Sequence, residues 1–180
     1  APRSYRDLPL RIAEYGQVYR YENSGSLRGL IRARGLCQND AHIYVSPEEA
    51  KEEIKKVLAL HEFCYSALGL SGYRYRLSKY DPNRPNDFDG SSSDWVQCEN
   101  MLREALVEMQ LPYFEAIGEA AFYGPKIDVQ MRVGPSEEES VASVQLDFNS
   151  ASKFDLKFIE RSGESIRPWI IHRAPLGSHE

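Results

Sequence analysis

From Asn39 to Val45 the chain alternates, with Asp40 and His42 on one side and Ile43 and Val45 on the other, which is the two-residue period of a half-buried strand. A similar alternation over Gln17 to Glu22 predicts a second strand, and Asn23, Ser24 and Gly25 supply turn chemistry after it. Residues 1–14 show no clean period and read as mixed helix and loop. The period then lengthens. Ser46-Pro47-Glu48-Glu49 reads as a capping box with proline at the first helical position. Ile54, Val57, Leu58, His61, Cys64, Tyr65 and Leu68 mark one face of the helix that follows, and Gly69 ends it.

Tyr73 to Lys79 returns to alternation and predicts a strand. Asp81 to Ser93, rich in proline, asparagine, aspartate and serine, predicts a long mobile loop. A second helix over Asp94 to Gln110 buries Trp95, Cys98, Leu102, Leu106 and Met109, and Pro112 stops it. Further on, Lys126 to Val133 turns Ile127, Val129, Met131 and Val133 inward. An acidic tip follows from Gly134 to Ser140, and Val141 to Phe148 places Ser143, Gln145 and Asp147 on one face. Lys153 to Glu160 and Ser165 to Arg173 predict a last hairpin around residues 161–164. Strands and amphipathic helices in this order imply an α+β fold, an antiparallel sheet flanked by helices.

Composition narrows the function class. At 180 residues the chain is long enough for one domain spanning 1–180, and 42% hydrophobic with 27% charged residues is ordinary for a soluble globular protein. A net charge of −5 argues against wholesale coating of nucleic acid, so any RNA contact is local or comes from another domain. No apolar run reaches membrane-spanning length and no secretory signal opens the chain. Cys37, Cys64 and Cys98 are odd in number and widely spaced, which speaks against structural disulfides and for a reducing cytoplasm.

Arg20, Arg28, Arg32 and Arg34 cluster around the first two predicted strands, with Glu22 among them. Guanidinium forks match phosphate oxygens, and a carboxylate can accept from an amine or a base. A solvated charged hairpin would account for the same residues. His42 and His172 lie near the ends of two distant strands, and spacing alone favours ordinary packed or surface histidines over metal ligands. His61, on the apolar helix face, reads as structural.

Arg20-Tyr21-Glu22, the following loop and RARGLCQNDAHIY (Arg32 to Tyr44) resemble motif 2 of class II aminoacyl-tRNA synthetases, in the form carried by the threonyl-tRNA synthetase family. GEAAFYGPKIDV (Gly118 to Val129), VQLDF (Val144 to Phe148) and IHRAPLGSHE (Ile171 to Glu180) are similar to further segments of that family. The resemblance implies a threonine–tRNA ligase that activates threonine with ATP to threonyl-adenylate and transfers it to tRNA(Thr), as a cytoplasmic homodimer.

By the same resemblance, Arg20 grips the α-phosphate and the substrate carboxylate, Arg32 meets the phosphates, and Lys126 lies near the nucleotide; these three form the catalytic set. Glu22 accepts from the adenine amine, Leu36 covers the ring, and Gln145 contacts the nucleotide or the adenylate. Gln38, Asp40 and Tyr123 line the amino-acid site, with Asp40 receiving the substrate hydroxyl. His42 and His172 match two of three Zn2+ ligands, the third being a cysteine of an Asn-Cys-Pro segment outside this chain. Mg2+ comes with ATP, and strand parity offers Asp128 and Asp147 to it.

The chain departs from the family pattern in places. Leu36 stands where an aromatic residue stacks on adenine, and Asn39 replaces an aspartate. Motif 1, the dimer interface, is missing, and the expected motif 3 arginine lies one residue beyond Glu180. The resemblance therefore covers the middle of a catalytic domain, and the 180-residue chain alone is expected to be weak or inactive. The alternative is a synthetase-like module that holds ATP, an amino acid or zinc without completing the reaction. A seryl- or prolyl-tRNA synthetase is a third reading, and the paired His42 and His172 argue against it.

Overall fold

The structure, a computed structural model, describes residues 3–135 and 137–180. In chain order its elements are β1 (Arg3–Ser4), β2 (Leu10–Tyr19), β3 (Gly35–Val45), α1 (Ala50–Leu68), β4 (Tyr73–Lys79), α2 (Ser92–Glu108) and β5 (Tyr113–Ile117). They continue with β6 (Lys126–Gly134), β7 (Glu137–Asp147), α3 (Ser150–Lys153), β8 (Phe158–Ile159), β9 (Ser165–Ile166) and β10 (Trp169–Ala174). A 7-stranded sheet runs β2-β3-β10-β7-β6-β4-β5, and β1-β8-β9 form a small second sheet.

The expected α+β arrangement holds, with one change in strand direction. All neighbours in the large sheet are antiparallel except β4 and β5, which are parallel. The cause is α2, which lies between them in sequence and carries the chain back to the same end, as a parallel pair requires.

Parity along the strands sorts the residues onto two faces. Ile43, Val45, Tyr75, Leu77, Ile127, Val129, Val144, Leu146 and Ile171 pack under α1 and α2 against Ile54, Val57, Leu58, Cys98, Leu102 and Leu106. Burying each large apolar side chain contributes about 1.5–3 kcal/mol, so this layer holds the helices against the sheet. The opposite face carries the polar set. On β6, Asp128 and Gln130 are buried as well as Ile127 and Val129, so the strand is covered on both sides rather than half-exposed.

Several boundaries differ from the sequence reading; β7, for one, begins at Glu137, within the expected acidic tip. Residues from Leu10 onward are strand, and β2 ends at Tyr19, before Arg20 and Glu22. It is an edge strand with most side chains exposed, so a period shows only towards its end. α1 begins at Ala50 because the Ser46 hydroxyl donates to the Glu49 carboxylate (2.9 Å) instead of capping the helix, and Glu53 N–H reaches Glu49 O. The last hairpin is reduced to β8 and β9, while β10 leaves it and inserts between β3 and β7. The 81–93 segment is pinned: Trp95 Nε1 donates to Asp89 O (2.7 Å), and Tyr80 and Phe88 pack on the indole.

His61 is fully buried on α1, and neither ring nitrogen has a hydrogen-bond partner. Burial, reinforced by the nearby Arg173 charge, pushes its pKa down from 6.5 to about 4. Between those values the unfolded chain binds a proton that the folded chain refuses. The neutral ring's contribution is therefore complete above pH 6.5 and is lost as the pH falls towards 4. We expect the His61 contribution to cost about 3 kcal/mol over that window. Urea midpoints at pH 7 and pH 4.5 should fall less for His61→Leu than for the unmodified chain; equal falls would show that another group sets the acid sensitivity.

Candidate active site

Strand register brings distant residues into one row across the polar face. His42 on β3 pairs with His172 on β10, His172 with Gln145 on β7, and Gln145 with Lys126 on β6. The two imidazole centroids lie 4.6 Å apart, edge to face. Two imidazoles on one tetrahedral ion place their ring centres about 5 Å apart, so the spacing of this pair is compatible with a shared ion. Among the described residues no group of three or more His, Cys, Asp or Glu could hold a metal ion, so these histidines would make a site only with a ligand from elsewhere.

Each histidine has a carboxylate nearby. Asp40 Oδ2 is 3.8 Å from His42 Nδ1, and Asp147 Oδ2 is 3.1 Å from His172 Nε2. Burial alone would raise the Asp147 pKa, but hydrogen bonds from His172, Ser150 and Asn149 outweigh it and hold the carboxyl below the usual range. Tyr123 stacks at a tilt 5.5 Å from the His172 ring, and its hydroxyl donates to Gln145 Oε1. Burial, with Asp147 and Asp40 close by, pushes the Tyr123 phenol up to about 12, so it stays a neutral donor.

Three of the four carboxylate oxygens of Asp128 and Asp147 are engaged by protein groups. Asp128 Oδ2 accepts from Ser78 Oγ (2.7 Å) and Arg76 (2.9 Å) and lies 3.1 Å from Lys126 Nζ. Asp147 Oδ1 accepts from the backbone N–H of Asn149 (3.0 Å) and Ser150 (2.8 Å). Buried carboxylates are satisfied by the nearest donors, and here those donors are protein groups. Lys126 thereby gains a fixed counter-charge that holds its ammonium beside the row.

Next to the row opens a cleft of about 520 Å³, bordered by Arg20, Glu22, Arg32, Leu36 and Gln38. These residues fall together because the regular β2–β3 ladder ends at Tyr19 and Gly35, leaving residues 20–34 as an arm at its end. The arm is braced: Arg20 N–H donates to Arg34 O (2.8 Å), and Arg34 Nε to Glu22 O (3.0 Å). Arg32 Nε sits 3.4 Å from Glu22 Oε2, so two residues expected to grip opposite ends of a nucleotide hold each other here. Gln38 Nε2 donates to Gly177 O (2.6 Å), fixing the 175–178 turn against β3.

Sequence reasoning missed one wall of this cleft. Glu139, Ser140 and Val141 of β7 border it, and Arg28 is held by Glu137 and Glu139, at 3.1 Å from the latter. The segment looked like an outlying acidic tip, and no local pattern relates it to an arginine more than a hundred residues earlier. The partnership of Asp147 with His172 was also missed, although strand parity had placed Asp147 on the right face.

The class of protein follows from comparison with known families. The chain matches the tRNA synthetase class II core domain (G, H, P, S and T) over residues 1–180 and belongs to that family. Its relatives within it include the threonine–tRNA ligases of Staphylococcus carnosus (48% identical over 179 residues) and Streptococcus pyogenes serotype M2 (47% over 178). Each comparison covers 99% of this chain and 28% of the relative, so the chain spans little more than a quarter of their length. The RNA binding domain of threonyl-tRNA synthetase from Cryptosporidium parvum Iowa II superposes with TM-score 0.88 at 37% identity, covering 98% of this chain and 43% of that one. The putative threonyl-tRNA synthetase ThrRS-1 from Aeropyrum pernix gives 0.79 at 36%, over 96% and 40%. The resemblance to threonyl-tRNA synthetases carried by the sequence motifs therefore holds.

Proposed function

We propose that this chain forms the central part of the amino-acid-activating site of a threonine–tRNA ligase. The observation that carries the reading is the His42–His172–Gln145–Lys126 row lying beside an arginine-lined cleft. ATP occupies the cleft, with Glu22 accepting from the adenine amine and Leu36 covering the ring by apolar contact. Arg20 and Arg32 take the phosphates, Arg32 leaving Glu22 to do so. The threonine carboxylate attacks the α-phosphorus, the α–β anhydride bond breaks and pyrophosphate leaves. A carboxylate is already ionised, so the side chains position reactants and balance charge rather than move a proton.

His42 and His172 would hold zinc, together with a cysteine from outside this chain. When bound, zinc supplies a Lewis-acidic point for the substrate amine and β-hydroxyl. Asp40 accepts from that hydroxyl, and Tyr123 and Gln38 close the amino-acid pocket. A site built to bind a hydroxyl rejects valine, which lacks it, far more strongly than an apolar pocket could. Magnesium is carried in by ATP. Transfer to tRNA(Thr), a homodimeric parent and a cytoplasmic location belong to the same proposal. The exposed edge of β2, with Tyr15 and Tyr19, suits a subunit contact, the free Cys37, Cys64 and Cys98 suit a reducing compartment, and among the described residues no helix is long and apolar enough to cross a membrane.

The test is amino-acid-dependent ATP–pyrophosphate exchange by the full-length protein carrying this segment, loaded with zinc. Threonine should be favoured over valine by at least about 100-fold in kcat/KM, and His42→Ala should erase that preference. Selectivity that survives His42→Ala would remove the metal-reading role from this residue.

A further inference from the structure

Asp147 stands out from the other polar residues of the sheet because its two oxygens do different work. Oδ1 is held by two backbone N–H groups, those of Asn149 and Ser150, at the start of α3. Oδ2 faces His172 Nε2 at 3.1 Å. The carboxylate is 1% exposed, so water does not compete for either oxygen. An ionised carboxylate only accepts hydrogen bonds. The ring nitrogen opposite it must therefore carry the proton, and the lone pair of a neutral His172 is left on Nδ1.

We propose that Asp147 is the positioning residue that selects the Nε2–H tautomer of His172, making Nδ1 the nitrogen offered to a metal shared with His42. The metal half of this inference rests on the zinc reading above; the tautomer half stands on the hydrogen bonds alone. Carboxylate partners of metal-binding imidazoles set ring orientation and basicity in this way. The two backbone donors turn the residue into a one-way device. If Asp147 is replaced by asparagine, those N–H groups keep the amide oxygen on their side, and the amide nitrogen is driven towards His172. A donor then faces Nε2, and the ring must switch to Nδ1–H, which blocks the ligating lone pair.

The experiment uses the full-length protein in its unmodified and Asp147→Asn forms. Nitrogen NMR of 15N-labelled histidine on metal-free protein at pH 8 should show His172 as Nε2–H in the first and Nδ1–H in the second. Zinc affinity, measured by competition with a chromophoric chelator, should fall about 10–100-fold in Asp147→Asn, with His172→Ala as the reference for a lost ligand. An unmodified protein whose His172 carries its proton on Nδ1 overturns the proposal without any variant having to fold. So does an Asp147→Asn protein that binds zinc as tightly as the unmodified one. If the tautomers switch as stated but neither protein binds zinc in a His42-dependent way, the zinc reading fails and the metal half falls with it, while the selection of tautomer by Asp147 is upheld.

Discussion

Gly124→Ala is expected to cost more than about 4 kcal/mol of stability, at the extreme of what one substitution does. A Cβ at Gly124 would lie 1.9 Å from Leu146 O and 2.9 Å from Leu146 C. Both are backbone atoms of β7, so no side chain can rotate out of the way. The turn is also tied there, since Leu146 N–H donates to Pro125 O (3.0 Å). Either β7 shifts or the turn lifts off, and each movement displaces Tyr123 on one side and Lys126 on the other. Set against a typical domain stability of about 5–15 kcal/mol, such a loss takes a large part of the fold. Gly25→Ala is the control, because nothing lies within 4 Å of its Cβ position. Urea denaturation should show a large drop in midpoint for the first and almost none for the second. A Gly124→Ala midpoint matching the Gly25→Ala one would mean the close approach is not real.

The second large effect is on chemistry. In the full-length protein, Arg20→Ala should lower kcat for threonine-dependent pyrophosphate exchange by about 10²–10³-fold, the usual loss when one donor to a developing negative charge is removed. Arg28→Ala offers the contrast. Its guanidinium is committed to Glu137 and Glu139 at the cleft rim, and exposed pairs of this kind contribute about 0–1 kcal/mol. Arg28→Ala should therefore change the rate by no more than about fivefold. Comparable losses at the two positions would assign the phosphate-facing role to the arm as a whole and not to Arg20.

Legibility in the sequence followed how local each constraint was. β3 could be read because Ile43 and Val45 are buried beneath α1 while Asp40 and His42 face the other way, so burial wrote a period into the residues. Of β2 only the end from Gln17 could be read, because an edge strand with most side chains exposed gives little contrast between positions. The direction of β5 was hidden for a different reason: a five-residue strand looks the same in either orientation, and only the path of α2 decides it. Lys126, Gln145, His42 and His172 were each found through motifs, yet their alignment in one row depends on which strands neighbour one another. Period and spacing do not encode that. The capping box at Ser46 was misjudged because Glu49 took the serine hydroxyl for itself, a competition that the bare pattern does not reveal.

β10, the latest of these strands in chain order, sits inside the sheet and not at its edge. β10 lies between β3 and β7, so until residues 169–174 are in place the sheet exists as two unjoined halves, one carrying His42 and the other Gln145 and Lys126. During synthesis the ribosome releases nearly the whole segment before the halves can be stitched together. Closure over so long a stretch of chain is slow compared with forming α1 or α2. A nascent polypeptide arrested ahead of Trp169 would carry its helices but no assembled centre, and would display the open flanks of β3 and β7 to any chaperone that recognises unpaired strands.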